Sequence, residues 1–147
     1  LHDVGKIGVP DAVLGKPRDE SEAAAMLGRL SGRVHRVVTA VHLIRGSGPG
    51  LEAIEESRVR IARLDPEEIR WYVSTGEPLD KAGAYAVQGL GARFVESVEG
   101  SFSNVMGLPA RTVYGLLREA RDPALARLAL SCEPASSRTS GNPLRRE

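Results

Sequence analysis

Asp80, Lys81 and Gln88 lie in one stretch, Gly76-Glu-Pro-Leu-Asp-Lys-Ala-Gly-Ala-Tyr-Ala-Val-Gln-Gly89. An anion, a cation and a carboxamide set among glycines suit a ligand that must approach the backbone closely. The Gln88 amide holds a donor beside an acceptor. That pair complements the imide edge of uracil or thymine, whereas cytosine lacks the imide proton. A second cation, Lys16 in Gly15-Lys-Pro17, stands just before an acidic helix start. A compact ammonium and a helix N-terminus both attract phosphate. Lys16 and Lys81 meeting in one cleft would clamp a triphosphate. Each residue also has a plainer reading: a solvated ion pair, a solubilising lysine, a polar residue at a strand end.

The elements that must position these groups follow from pattern. Ile7-Gly-Val9 and Ala12-Val-Leu14 read as two brief strands. Asp19-Glu-Ser-Glu22 opens a helix with acidic residues in its first turn, where they oppose the dipole. Ala23, Met26, Leu27 and Leu30 recur at helical spacing up to Gly32. The β-branched run Val34 to Ile44 reads as a strand, and residues 45 to 52 as a turn. Ser57 to Leu64 alternates basic and apolar positions, which predicts a half-exposed antiparallel partner. Its arginines, Arg58, Arg60 and Arg63, are most simply a solvated face. Asp65-Pro-Glu-Glu68 is a strong helix start, with Pro at the first position and Glu at the third. That helix carries Trp71 as an expected core anchor and ends at Gly76. Three short strands are expected at Ala84 to Gln88, Ala92 to Val98 and Phe102 to Met106. Pro109 then opens a last helix with Val113, Leu116 and Leu117 on one side.

Composition bounds the rest. The chain has 147 residues, 41% of them hydrophobic and 27% charged, which fits one soluble domain with a modest core. A formal net charge of +1 gives no case for nucleic acid as a partner. The single cysteine, Cys132, suits a reducing cytoplasm. No apolar run approaches the roughly 20 residues that a membrane span needs. The Ser-, Pro- and Arg-rich residues 126–147 read as a disordered tail.

Taken together, the motifs resemble a known family. Leu14-Gly-Lys-Pro17, Met26-Leu27, Leu30-Ser-Gly32, Val38-Thr-Ala-Val41, Gly76 through Tyr85, Gln88-Gly89, Gly100-Ser101, Asn104-Val105 and Gly107-Leu-Pro109 are similar to the C-terminal two-thirds of the Maf nucleoside triphosphate pyrophosphatases. The Val-Thr-Ala-Val and Gly-Glu-Pro-Leu-Asp-Lys versions most resemble the branch acting on dTTP and UTP. The resemblance implies hydrolysis of the α–β phosphoanhydride with Mg²⁺ or Mn²⁺ as cofactor. It implies phosphate neutralisation by Lys16 and Lys81 and base selection by Gln88. The family's N-terminal segment, with its Ser-containing phosphate loop and paired arginines, has no counterpart in this sequence. Its Asp-Thr pair is also lacking, and Asp3 stands one step from the expected position. Asp3 is therefore the candidate catalytic base and metal ligand.

Leu1-His-Asp-Val-Gly-Lys-Ile-Gly-Val-Pro-Asp11 instead resembles the metal-binding stretch of HD-type phosphohydrolases of the HD-GYP group, which would make His2 and Asp3 metal ligands. The expected organisation is an HD-like segment at residues 1–11, a partial Maf-like domain at 12–125 and the tail. The expected fold is α/β, a mixed, largely antiparallel twisted sheet flanked by helices, with the N-terminal part missing. The expected partner is a nucleoside triphosphate, and a homodimer is left open. The alternatives are a non-catalytic nucleotide-binding remnant and an HD-type phosphodiesterase.

Overall fold

A computed structural model of the chain describes residues 2–9, 12–46 and 50–121, with the side chains of residues 2–6 outside that description. The proposed tail at 126–147 likewise lies outside the described residues. Five strands form one sheet in the order β2-β1-β3-β4-β5, namely β1 His2–Val9, β2 Ala12–Leu14, β3 Val34–Leu43, β4 Leu51–Ile61 and β5 Val95–Glu99. Every pairing is antiparallel. The helices are α1 Glu20–Leu30, α2 Pro66–Ser74, α3 Phe102–Met106 and α4 Ala110–Arg121. This is the α/β fold expected from the pattern. No helix of the described residues is long and apolar enough to cross a membrane.

Strand parity decides where the core forms. Val37 pairs with Ile7 on one side and Ser57 on the other, and Val41 pairs with Ala53. His35, Val37, Thr39 and Val41 are all buried, while Val34, Arg36 and Ala40 between them are exposed. The buried face takes Ala23, Met26, Leu27 and Leu30 of α1 and Tyr72 and Val73 of α2. Burial of each large apolar side chain contributes about 1.5–3 kcal/mol before chain entropy is charged against it. The opposite face carries Arg58 and Arg60, solvated as expected, together with Ile54.

The helix starts follow the sequence signals. The Asp19 side chain accepts from the Glu22 N–H at 2.8 Å. Asp65 accepts from Glu67 and Glu68 N–H groups, and the Glu68 carboxylate accepts from the Asp65 N–H at 2.9 Å, closing a capping box.

Other expectations are corrected. β4 begins at Leu51, because β3 offers pairing partners along its whole length and draws the Glu-rich Leu51–Glu56 into the ladder. Ala84 to Gln88 is not a strand. A 3-10 turn at Ala82–Ala84 holds Gly83 at φ 69° and Ala84 at φ 60°, so the chain turns there instead of entering a strand. Ala92 to Phe94 belongs to another 3-10 turn, Leu90–Phe94, and only Val95–Glu99 is strand. Phe102–Met106 is helical because Ser101 accepts from the Asn104 N–H at its start and Gly107 ends it. Trp71 is 40% exposed and stacks under the Arg93 guanidinium, 4.2 Å from its ring centre. Its neighbour Tyr72, fully buried and edge-on to Phe94, is the aromatic anchor.

Candidate active-site cleft

Lys16, Lys81 and Gln88 line a single cleft of about 490 Å³. Ile7, Val37 and Thr39 border it from the sheet, and Asn104 to Gly107 border it from the end of α3. Three loops deliver the polar groups, and backbone bonds rather than regular elements fix them. The Gly83 N–H donates to the Gly15 carbonyl at 2.9 Å, joining the Lys16 loop to the Lys81 turn. The Lys81 N–H donates to Pro78 and the Ala84 N–H to Lys81, which coils the Asp80–Lys81 corner tightly. Tyr85 then anchors the loop on β3, its hydroxyl sharing a 2.8 Å bond with His35 Nε2. Burial pushes the His35 imidazole down to about 4, so a neutral ring makes this bond.

Charge in the cleft is arranged as a closed pair beside an open cation. Lys81 Nζ donates to both oxygens of Asp80, at 2.8 and 2.9 Å. That hydrogen bond, assisted by the charges of Lys81 and Lys16, holds the Asp80 carboxyl below its usual range. Lys16 is exposed at the cleft edge. Gln88 is exposed too, in a bend rather than at a strand end. Arg58 and Arg60 do not border the cleft.

Two buried groups that sequence reasoning gave no role stand at the floor of this cleft. Asn104 Nδ2 donates to the Val37 carbonyl at 3.1 Å, to Ser57 Oγ at 3.0 Å and, more weakly, to the Glu55 carbonyl at 3.4 Å. Those acceptors fix which way the amide faces, and its Oδ1 has no partner among the described residues. Thr39 Oγ1 also has none among the described residues. The signal available in the sequence was a buried-parity threonine in a β-branched strand and an asparagine near a Ser cap. Glu77, inside the first motif, was likewise given no role. It accepts from the Leu90 and Gly91 N–H groups and from the Tyr72 hydroxyl.

Asp3 pairs with Val41 in β1, and its side chain lies outside the described residues, as does that of His2. Among the described residues, no group of three or more His, Cys, Asp or Glu is arranged to hold a metal ion.

Comparison with known families matches residues 5–120 to the family Maf-like protein. The chain belongs to that family. Among its relatives, a dTTP/UTP pyrophosphatase of Anaeromyxobacter sp. (strain Fw109-5) is 56% identical over 115 residues, covering 76% of this chain and 56% of the relative. The dTTP/UTP pyrophosphatase of Symbiobacterium thermophilum is 52% identical over 111 residues, covering 76% and 57%. That of Neisseria meningitidis serogroup B is 50% identical over 107 residues, covering 73% and 52%. The chain thus spans little more than half the length of the curated relatives it matches.

The HD-like reading of residues 1–11 gains no support from the same findings. The family match runs through Gly5 to Asp11, and His2–Val9 is a strand of the common sheet, hydrogen-bonded to β3. None of these matches carries a resemblance to HD-type phosphohydrolases.

Proposed function

We propose that this chain carries the nucleotide cleft of a nucleoside triphosphate pyrophosphatase acting on dTTP and UTP. The observation that carries the reading is the meeting of Lys16, Lys81 and Gln88 around one cleft. Two ammonium groups suit a polyphosphate, and a carboxamide suits an imide edge. The names of the relatives support the same substrates. In the reaction, water adds across the α–β anhydride. One P–O bond forms and one breaks, releasing a nucleoside monophosphate and pyrophosphate.

Lys16 and Lys81 would hold the phosphates and offset the charge that develops on their oxygens, which is where such sites gain most of their rate. Asp3, proposed from the sequence alone, would receive the proton of the attacking water. A divalent cation fits this donor set as a companion of the substrate rather than as a resident ion. Mg²⁺ commonly binds through one or two carboxylates with phosphate oxygens and water completing its shell. Asp80 and Asp3 are the carboxylates that would hold it. Bound there, it would screen the triphosphate charge.

The test is pyrophosphate release from dTTP, UTP and CTP with Mg²⁺ or Mn²⁺ present. Turnover of dTTP and UTP well above CTP supports the reading. Equal turnover of all three, or rates indifferent to both Lys16→Ala and Gln88→Ala, overturns it. Thermal stabilisation by dTTP without pyrophosphate release would leave a nucleotide-binding protein that does not turn its ligand over.

A further inference from the structure

Gln88 sits in the middle of a segment fastened at both ends by one pair of side chains. At the near end, the Ala86 N–H donates to the Tyr72 hydroxyl at 3.1 Å. At the far end, the Leu90 N–H donates to Glu77 Oε2 at 2.9 Å and the Gly91 N–H to Glu77 Oε1 at 2.9 Å. The two anchors are themselves joined, since the Tyr72 hydroxyl donates to Glu77 Oε1 at 2.7 Å. Gln88 makes no side-chain hydrogen bond of its own among the described residues, so its backbone is what these anchors hold.

The fit around the carboxylate is close. A Cβ at residue 89 would lie 2.7 Å from Glu77 Oε2, and one at residue 91 would lie 2.5 Å from the Tyr72 hydroxyl. Glycine at both places lets the backbone press onto the anchors. Burial by itself would raise the Glu77 carboxyl. The Leu90 and Gly91 N–H groups, the Tyr72 hydroxyl and the Lys81 charge outweigh it and hold the group low, as an ionised acceptor. Glu77 also opens the 3-10 turn Glu77–Asp80 that leads into Lys81. One carboxylate therefore links the phosphate corner of the cleft to the loop bearing the carboxamide.

We propose that Glu77 is a positioning residue for base recognition: with Tyr72 it sets the place from which Gln88 meets a pyrimidine imide edge. The inference rests on the nucleotide reading above. Glu77 touches no reacting atom. Glu77→Gln keeps the shape but turns an NH₂ toward one of the three donors it now accepts, so at least one fastening opens. Tyr72→Phe keeps the ring on Phe94 and removes the other anchor point.

The experiment uses the full chain, both variants and two readouts. The first is amide hydrogen exchange over residues 86–91, which needs no nucleotide. Faster exchange there in Glu77→Gln, with α1 unchanged, is expected. The second is the ratio of affinities for UTP and CTP by calorimetry. It is expected to fall about tenfold in Glu77→Gln, which corresponds to one well-formed hydrogen bond to the base. Tyr72→Phe should move both readouts in the same direction and supplies the result if Glu77→Gln does not fold. Unchanged exchange at 86–91 overturns the clamp. Faster exchange with an unchanged UTP to CTP ratio overturns its role in recognition. A wild-type chain that binds neither nucleotide sinks the pyrophosphatase reading and this role with it, and the exchange result then shows whether the clamp itself exists.

Discussion

The N–H of Gly83 donates to the carbonyl of Gly15 at 2.9 Å, across a sequence separation that spans α1, β3, β4 and α2. This bond brings the Lys16 loop and the Lys81 turn to one cleft. Gly83 is buried at φ 69°, and a Cβ there would lie 2.8 Å from Ile7 Cδ1. Gly83→Ala combines a left-handed backbone with overpacking, each of which costs about 1–3 kcal/mol. Urea unfolding should show a loss of that order. A midpoint equal to wild type would mean that the turn is looser than described.

Removal of either cation should weaken the proposed chemistry equally across bases. For Lys16→Ala and Lys81→Ala, kcat/KM for dTTP and UTP should fall by about 100-fold, the usual loss for one preorganised donor at a charged transition state. The ratio between the two nucleotides should stay constant, because phosphates carry no base identity. Steady-state pyrophosphate release measures both quantities.

Thr39 offers a test in the opposite direction. Among the described residues its buried hydroxyl has no partner, and an unsatisfied buried hydroxyl costs about 1–3 kcal/mol. Thr39→Val preserves the shape and suits a β-strand. It should raise stability by roughly 1 kcal/mol in urea. A fall in stability would reveal that the hydroxyl is satisfied in solution.

Acid should loosen the fold through His35 before it reaches the carboxylates. Burial holds the folded imidazole at about 4 against an ordinary 6.5. The unfolded chain therefore binds the extra proton first, and stability falls as pH drops from 6.5 toward 4, with no further loss from this group below that. The full loss is roughly 3 kcal/mol at one pKa unit per 1.4 kcal/mol. Asp80 and Glu77, whose carboxyls are held low, add their losses at lower pH. Unfolding free energies between pH 7 and 5 should slope in wild type and flatten in His35→Phe.

The legible parts of the fold were those written in local chemistry. Asp19, Asp65 and Pro66 announced helix starts through capping, and the β-branched run Val34 to Ile44 announced a strand. The loop from Gly76 to Gly91 was harder to read. Its apolar run Ala84 to Val87 is buried, which a strand would also satisfy. The positive φ of Gly83 and Ala84, with Gly83 set close against Ile7 of β1 and Leu30 of α1, makes it a chain of tight turns. The three cleft residues were found because their types suit phosphate and an imide. Glu77, Thr39 and Asn104 were missed because their importance lies in what they bond or fail to bond, and that depends on segments distant in the chain. Trp71 and Tyr72 were reversed for a related reason: one step along a helix turns a side chain by about 100°, and only packing tells which aromatic faces inward.

Asp80 grips Lys81 with both oxygens, so the ammonium already has an anionic companion within its own turn. Any phosphoryl group that takes Lys81 has to outcompete that companion. A highly charged polyphosphate can do so, whereas a monophosphate has far less to offer. On the proposed reading the corner would act as a charge-graded latch, yielding to a polyphosphate and closing again when it leaves.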